Sequence, residues 1–204
     1  MQAVVFRRRL PRAEREEQLL AIAEALFAER GFREPSMDEI AVRAGVTKPV
    51  LYDHFGSREG LVAACIRRAG ARLLARVAAA VAVGGSTEAL LRAGVRAFFD
   101  FTEAEGQGWF MLVGENSVAG PAAAAVEAIR ADQADYVAAQ LAVAMRDVDR
   151  ADLEGYAHAI IGACERVALW RRERPEVGVE RAVDVVMALV WAGLGARARA
   201  RAQA

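Results

Sequence analysis

The chain has 204 residues, of which 55% are hydrophobic, so it is long enough to bury a core as one domain or two small ones. Its 27 basic and 27 acidic residues cancel, so net charge gives no support to nucleic-acid binding. The longest uncharged stretch, 185–196, falls short of the roughly 18 apolar residues of a membrane span, and charges interrupt residues 1–17 where a signal peptide needs an apolar core. We expect a globular, cytoplasmic protein without membrane contact.

The N-terminal residues 1–13 contain Arg7, Arg8, Arg9 and Arg12 and no acidic residue. A basic arm of this kind suits a phosphate backbone or a minor groove, which makes Arg9 and Arg12 candidate DNA contacts. A solvated terminal tail is the alternative interpretation.

Apolar residues recur every three or four positions and alternating strand patterns are missing, so the sequence predicts an all-α fold. A first helix at 12–30 ends at Gly31. The second starts at Ser36, which has the S-x-x-E spacing of a capping box with Glu39, and it ends at Gly45.

A short third helix, 47–55, begins at Thr47 and carries Pro49 in its first turn, where the missing N–H has no intrahelical partner. The fourth begins after Ser57, continues to about residue 83 and is expected to join the two halves of the chain as one rod. Further alanine-rich helices are predicted at 86–104, 108–116, 121–148, 149–174 and 179–201.

The sequence carries no motif of a metal site or an enzyme. Cys65 and Cys164 lie far apart in apolar surroundings, which favours buried thiols over metal ligands or a disulfide framework. Neither His54 nor His158 belongs to a metal-binding motif, and no nucleophile elbow or glycine-rich phosphate loop is present. We therefore expect no cofactor and no catalytic activity.

The segment 36–61 predicts two short helices joined by a glycine turn, the arrangement of a helix-turn-helix. Its run IAVRAGVTKPVLYDHFGSREGL closely resembles the DNA-binding segment of the TetR (tetracycline-repressor) family of bacterial regulators. The resemblance implies a DNA-binding headpiece with its basic arm at 1–56, followed by a helical regulatory, ligand-binding and dimerisation domain at 57–204.

The same resemblance places the third helix in the major groove of DNA. It implies that Thr47 and Lys48 lie at the start of that helix, Pro49 and Val50 on its groove face, and Tyr52 and His54 toward phosphates. The N-terminal ends of the helices that begin at Ser36 and Ser57 are suited to binding anions, and Arg58 adds a cation beside them. We expect phosphate contacts there. Lys48 is the only lysine of the chain, although a solvated helix charge is the plain alternative for it.

The regulatory domain is implied to enclose a pocket for a small, largely apolar effector. The candidate ligand contacts are aromatic residues and nearby polar ones: Phe98, Phe101, Trp109, Phe110, Asn116, Tyr136, Gln140 and His158. An ordinary aromatic core is the alternative.

A recognition helix this short contacts few base pairs, so two copies are needed and a homodimer is expected. The resemblance implies a four-helix bundle formed by the last two helices of each subunit. The candidate interface residues are Ile161, Cys164, Ala168, Val186, Val190 and Gly193, and the alternative is that they cover the core of their own domain.

These features together predict a ligand-responsive transcriptional regulator, and by family analogy a repressor that an effector releases from a palindromic DNA operator. The alternatives are a helical protein-interaction module that has lost DNA binding and, in another class, an enzyme.

Overall fold

The computed structural model describes residues 10–30, 35–113 and 120–202, with side chains described outside 106–113 and 196–202. Throughout these ranges the fold is all-α and no strand occurs. The helices are α1 (Arg12–Arg30), α2 (Met37–Ala44), α3 (Lys48–Phe55), α4 (Arg58–Val81), α5 (Thr87–Val113), α6 (Pro121–Ala144), α7 (Arg150–Arg172) and α8 (Val179–Ala202).

One continuous helix, α5, replaces the two helices predicted at 86–104 and 108–116. The predicted gap at residues 105–107 was wrong, because the helix continues through Gly106 and Gly108. A glycine costs a helix only about 1 kcal/mol relative to alanine, and the packing of α5 against α4 and α8 offsets that cost. The remaining predicted helices are present, with ends that differ by a few residues; α6 stops at Ala144 instead of 148.

The first three helices pack around a common apolar core. Phe27 of α1, Ile40 of α2 and Leu51 of α3 are fully buried, together with Leu61 from the start of α4. These residues recur on one face of each helix, so their burial fixes the angle of α3 relative to α1 and α2. The short helices are too short to be stable alone and depend on this packing.

Helix α4 belongs to both halves of the fold. Its N-terminal turns are buried in the headpiece core, and further along it packs against α5 and α6. The approach to α6 is close at Gly70, because a Cβ atom there would lie 2.4 Å from Cδ1 of Ile129. A rearrangement of α5 or α6 therefore reaches the headpiece through α4.

Helices α7 and α8 complete the body by packing against each other and against α5. Ion pairs tie α8 to α5, with Arg92 to Asp184 at 2.8 Å and a close contact of Arg96 with Glu180. In the part of the chain that the structure describes, every helix is too short or too polar to cross a membrane.

Candidate nucleic-acid interface and ligand cavity

Local structure fixes both ends of α2, and its C-terminal end forms the turn to α3. At its start the capping box is complete: Glu39 N–H donates to Ser36 Oγ over 3.2 Å, and Ser36 N–H donates to Glu39 Oε2 over 2.8 Å. At its end Gly45 adopts φ 64° and ψ 34°, a left-handed conformation that suits glycine. The chain thereby reverses within a few residues and delivers α3 at a fixed angle.

Helix α3 presents an exposed edge formed by Thr47, Lys48, Pro49 and Tyr52. The tyrosine side chain is 43% exposed, whereas Leu51 on the opposite face is fully buried. Thr47 precedes the helix, and its hydroxyl makes no capping hydrogen bond within the described headpiece. Val50, which was predicted to lie on the groove face with Pro49, is half-buried against the core.

Lys48 is already paired within the free chain. Its Nζ donates to Asp38 Oδ2 over 2.8 Å, and both side chains are largely exposed. The hydrogen bond and the charge of Asp38 raise the pKa of Lys48. Sequence reasoning missed Asp38, although its position in the first turn of α2 put an acidic residue next to the predicted recognition edge.

His54 does not lie on this exposed edge, which corrects its predicted place. Its side chain is only 9% exposed and Nδ1 lies 3.7 Å from Glu16 Oε2 of α1. The nitrogen is buried without a hydrogen bond to any described residue. The ring also lies next to Phe55, with the two ring centroids 5.8 Å apart.

The other predicted phosphate contacts hold the headpiece together. Arg12 donates from Nη2 to the carbonyl oxygen of Asp53 over 3.0 Å, Ser57 Oγ accepts the N–H of Gly60, and Arg58 Nε donates to the carbonyl oxygen of Pro35 over 3.4 Å. Arg9 lies outside the described residues. Phosphate contacts by Arg9, Arg12, Ser36, Ser57 and Arg58 remain predictions.

A cavity of about 260 Å³ lies between α4, α5, α6 and α7. Its wall is mainly aliphatic, with leucine and valine side chains from α4 and α5 facing a helical stripe of α6. The described polar residues of the wall are Thr87, Gln133, Tyr136 and Gln140.

Three of the predicted ligand contacts, Phe98, Tyr136 and Gln140, line the cavity. Phe101 does not; it is fully buried in the core with the guanidinium of Arg76 5.3 Å from its ring centre. His158 is exposed and outside the lining, because it lies on the solvent face of α7. Asn116 and the side chains of Trp109 and Phe110 lie outside the described residues.

Sequence reasoning missed the contribution of α4 and the place of Gln133. Leu73, Leu74 and Val77 line the cavity although their spacing was typical of core. Gln133 lies on the same face of α6 as Tyr136 and Gln140, three and seven residues before them, and this helical spacing was the available signal.

The predicted dimer interface is largely turned inward. Ala168 and Val186 are buried in the core of their own chain, and Ile161 and Cys164 line the cavity. Their burial reduces the surface that they offer to a partner, and contacts of all six predicted residues with a second subunit remain predictions. Three of the six keep some exposure, because Ile161 and Val190 are half-buried and Gly193 is exposed.

Both cysteines are free thiols buried in apolar surroundings. Burial raises the pKa of Cys164 to about 12, so its thiol stays neutral in the cavity wall. Burial raises the pKa of Cys65 as well.

A chain of ion pairs connects the headpiece with the body along α4. Arg68 contacts Glu24 of α1 at 2.6 Å, Arg72 contacts Glu24 at 3.2 Å and Glu105 of α5 at 2.8 Å, and Arg76 contacts Glu105 at 3.1 Å. Burial raises the pKa of Glu24 and the two arginines oppose that shift. The α1–α4–α5 ion-pair cluster thus spans both halves of the fold.

Comparison with known protein families matches both halves of the chain. Residues 19–65 match the model of bacterial regulatory proteins of the tetR family, and residues 87–193 match the model of the tetracyclin repressor-like C-terminal domain. The chain belongs to the TetR family. Residues 19–65 contain the exposed edge of α3, and residues 87–193 contain most of the cavity wall.

Individual TetR-family relatives agree with this assignment. The chain is 44% identical over 117 residues to the transcriptional activator FasR of Mycolicibacterium smegmatis, a match covering 57% of this chain and 53% of that protein. It is 37% identical over 90 residues to the transcriptional repressor KstR2 of Rhodococcus jostii, covering 44% of each. The chain thus spans about half the length of these two curated relatives.

Solved structures match over nearly the whole chain. A TetR-like transcriptional regulator from Rhodococcus sp. RHA1 is 36% identical, with a TM-score of 0.67 over 92% of this chain and 99% of the other. A regulator from Pseudomonas aeruginosa PAO1, 20% identical, has a TM-score of 0.77 over 98% and 99% of the two chains and shares the fold.

Proposed function

We propose that the chain is a homodimeric transcriptional repressor that binds a palindromic DNA operator through the exposed edge of α3 and releases it when a small, largely apolar effector occupies the cavity. The observation that carries the DNA-binding part is the edge itself: Thr47, Lys48, Pro49 and Tyr52 are all exposed on a helix whose other face is locked into the headpiece core.

The dimensions of α3 support major-groove binding. Its 8 residues extend about 12 Å at roughly 1.5 Å per residue, which matches the width of the groove. The hydroxyl groups of Thr47 and Tyr52 suit phosphate oxygens, and Lys48 supplies a cation once it exchanges Asp38 for DNA.

Dimerisation is proposed through the exposed faces of α7 and α8. Leu189 of α8 is 72% exposed, and Trp170 of α7 is also exposed although both are large apolar side chains. Val190 and Gly193, which were predicted from the sequence, also keep some exposure, and a second subunit would cover these residues of α7 and α8. The proposed interface therefore lies on the outer side of the residues first predicted.

Effector release is supported by the position of α4, which lines the cavity and also enters the headpiece core. An effector that binds one arrangement of α4 and α6 more tightly than another would change the separation of the two recognition helices.

The 44% identity to an activator makes activation a second candidate. A reporter gene behind the operator separates the two, because deletion of a repressor raises expression and deletion of an activator lowers it.

The proposal is tested with Lys48→Ala and Tyr52→Ala, with Arg150→Ala on exposed α7 as the matched control. We expect both headpiece variants to lose binding to a selected operator duplex while the control binds like wild type, and sedimentation to show dimers for all of them. Unchanged operator binding by both headpiece variants refutes the contact surface. A monomer with full operator affinity refutes the dimer.

A further inference from the structure

The cavity wall is electrically neutral wherever the structure describes it. None of its described lining residues is acidic, basic or a histidine, and the thiol of Cys164 is held neutral by burial. Transferring a carboxylate or phosphate into such a wall without a counter-charge costs several kcal/mol. A charged group is therefore disfavoured inside the cavity.

One polar group in the wall is left without a partner. Nε2 of Gln133 is buried from solvent and makes no hydrogen bond to any described residue, although Gln133 lines the cavity. A buried donor without an acceptor destabilises the fold, and proteins pair most such groups. The described part of the fold supplies no acceptor for this donor, and a ligand in the cavity can supply one.

The surroundings of this donor are suited to a largely apolar molecule. Gln133, Tyr136, Val137 and Gln140 follow one face of α6, opposite Leu73 and Val77 of α4. Exposed Gly85 and Val143 also belong to the wall and mark the place where it meets solvent.

We infer that the cavity takes a neutral, largely apolar ligand whose hydrogen-bond acceptor, such as an ester or ketone carbonyl, receives the hydrogen of Gln133 Nε2. The inference rests on the proposed function for its regulatory meaning and names the chemical class of the effector. Gln133 is the residue that selects the acceptor, and the uncharged wall selects against ionised analogues.

The test uses two probes of matched chain length, methyl decanoate and decanoate, with the wild-type protein in calorimetry at about pH 8, where the carboxylate is ionised. We expect the ester to bind at least about tenfold more tightly, because decanoate must bury or expel its charge. Equal or tighter binding of decanoate overturns the neutral-ligand inference.

Gln133→Met keeps the length of the side chain and removes the donor. We expect it to weaken methyl decanoate binding about fivefold, the size of one net hydrogen bond. Gln18→Met is the matched control, since Gln18 is an exposed glutamine of α1 outside the cavity wall, and it should bind the ester like wild type. Wild-type ester affinity in Gln133→Met overturns the role of Gln133.

Thermal unfolding without ligand separates this role from a structural one. Because Gln133→Met removes an unpaired buried donor, we expect an unfolding midpoint equal to or above that of wild type. A lower midpoint means that the amide is satisfied within the fold, and it overturns the inference. Operator binding of the same proteins without ligand tests the proposed function separately. Absence of operator binding by the wild type counts against the proposed function, whereas the ester results alone decide the ligand class.

Discussion

Lys48 lies on the exposed edge of α3 with its ammonium group hydrogen-bonded to Asp38. To contact DNA, the ammonium group of Lys48 must leave this carboxylate or be shared between the carboxylate and a phosphate oxygen. The side chain of Asp38 is 66% exposed, and its negative charge lies on a surface that is proposed to approach phosphates. We therefore expect the pair to weaken non-specific DNA binding.

Neutralising Asp38 should strengthen binding to duplex DNA of unrelated sequence. For Asp38→Asn we expect about twofold to fivefold tighter non-specific binding, because an exposed ion pair of this strength is lost and a repulsion is removed. Affinity measured across salt concentrations checks this. Asp184→Asn, which breaks the exposed pair with Arg92 in the body, is the charge-matched control and should change nothing. Weaker binding by Asp38→Asn would mean that Asp38 positions Lys48 for DNA.

The capping box gives the headpiece a defined pH dependence. The hydrogen bond from the backbone N–H of Ser36 lowers the pKa of Glu39 below its ordinary value of 4.5. As pH falls, the unfolded chain therefore takes up this proton first, so the contribution of Glu39 is present above pH 4.5 and is lost as pH falls through the lowered pKa. We expect Glu39→Gln to be less stable than wild type near neutral pH and equally stable once Glu39 is protonated. Denaturant titrations of both proteins across that range test this, and a constant difference would contradict it.

At the scale of single residues, sequence patterns predicted the capping box, the turn glycine and the exposed positions of α3, because each depends on local spacing. They could not predict that Lys48 pairs with Asp38 or that His54 packs toward Glu16. Both contacts join different helices, and their existence depends on how α1, α2 and α3 are oriented in space.

The close approach of α4 and α6 depends on Gly70. Because a Cβ atom at Gly70 would meet Cδ1 and Cγ1 of Ile129 at 2.4 and 2.5 Å, Gly70→Ala must displace the Ile129 side chain or the helix that carries it. We expect it to lower the free energy of unfolding by about 1–3 kcal/mol, the usual cost of overpacking. Gly155→Ala in α7, where no atom lies within 4 Å of the added Cβ, should instead raise it by about 0.5–1 kcal/mol. Denaturant unfolding of both variants decides, and a stabilised Gly70→Ala would refute the tight contact.

The α1–α4–α5 ion-pair cluster connects the headpiece with α4 and α5, two of the helices that line the cavity. Arg72 is its centre, because it contacts Glu24 on one side and Glu105 on the other. For Arg72→Met we expect operator binding to persist and the effector-induced change in operator affinity to shrink about threefold or more, since coupling free energies are typically about 1–3 kcal/mol. Arg92→Met, which removes an α5–α8 ion pair, is the control. An unaltered effector response in Arg72→Met would show that the cluster does not transmit the signal.

At the scale of helices, apolar periodicity predicted the all-α fold and most helix positions. It failed at α5, which continues through Gly106 and the rest of the predicted gap at residues 105–107. It also could not separate core from cavity: Phe98 and Phe101 lie three residues apart on α5, yet one lines the cavity and the other is fully buried.

For the whole molecule, membership of the TetR family and the division of α4 between headpiece and body support a dimeric switch. The predicted interface illustrates why assembly is difficult to derive from one sequence. Apolar residues of α7 and α8 serve both the subunit's own core and any partner, and Val186 and Ala168 are buried whereas Leu189 is exposed.

The most direct test of the account is the selection of bound duplexes from a random DNA pool by the wild-type protein and by Lys48→Ala. We expect the wild type to enrich a palindromic consensus with half-sites separated by about one helical turn of roughly 10 base pairs, or a multiple of it. Lys48→Ala should fail to enrich that consensus. Absence of any enriched sequence for the wild type would contradict operator recognition by α3 and favour a helical protein-interaction module.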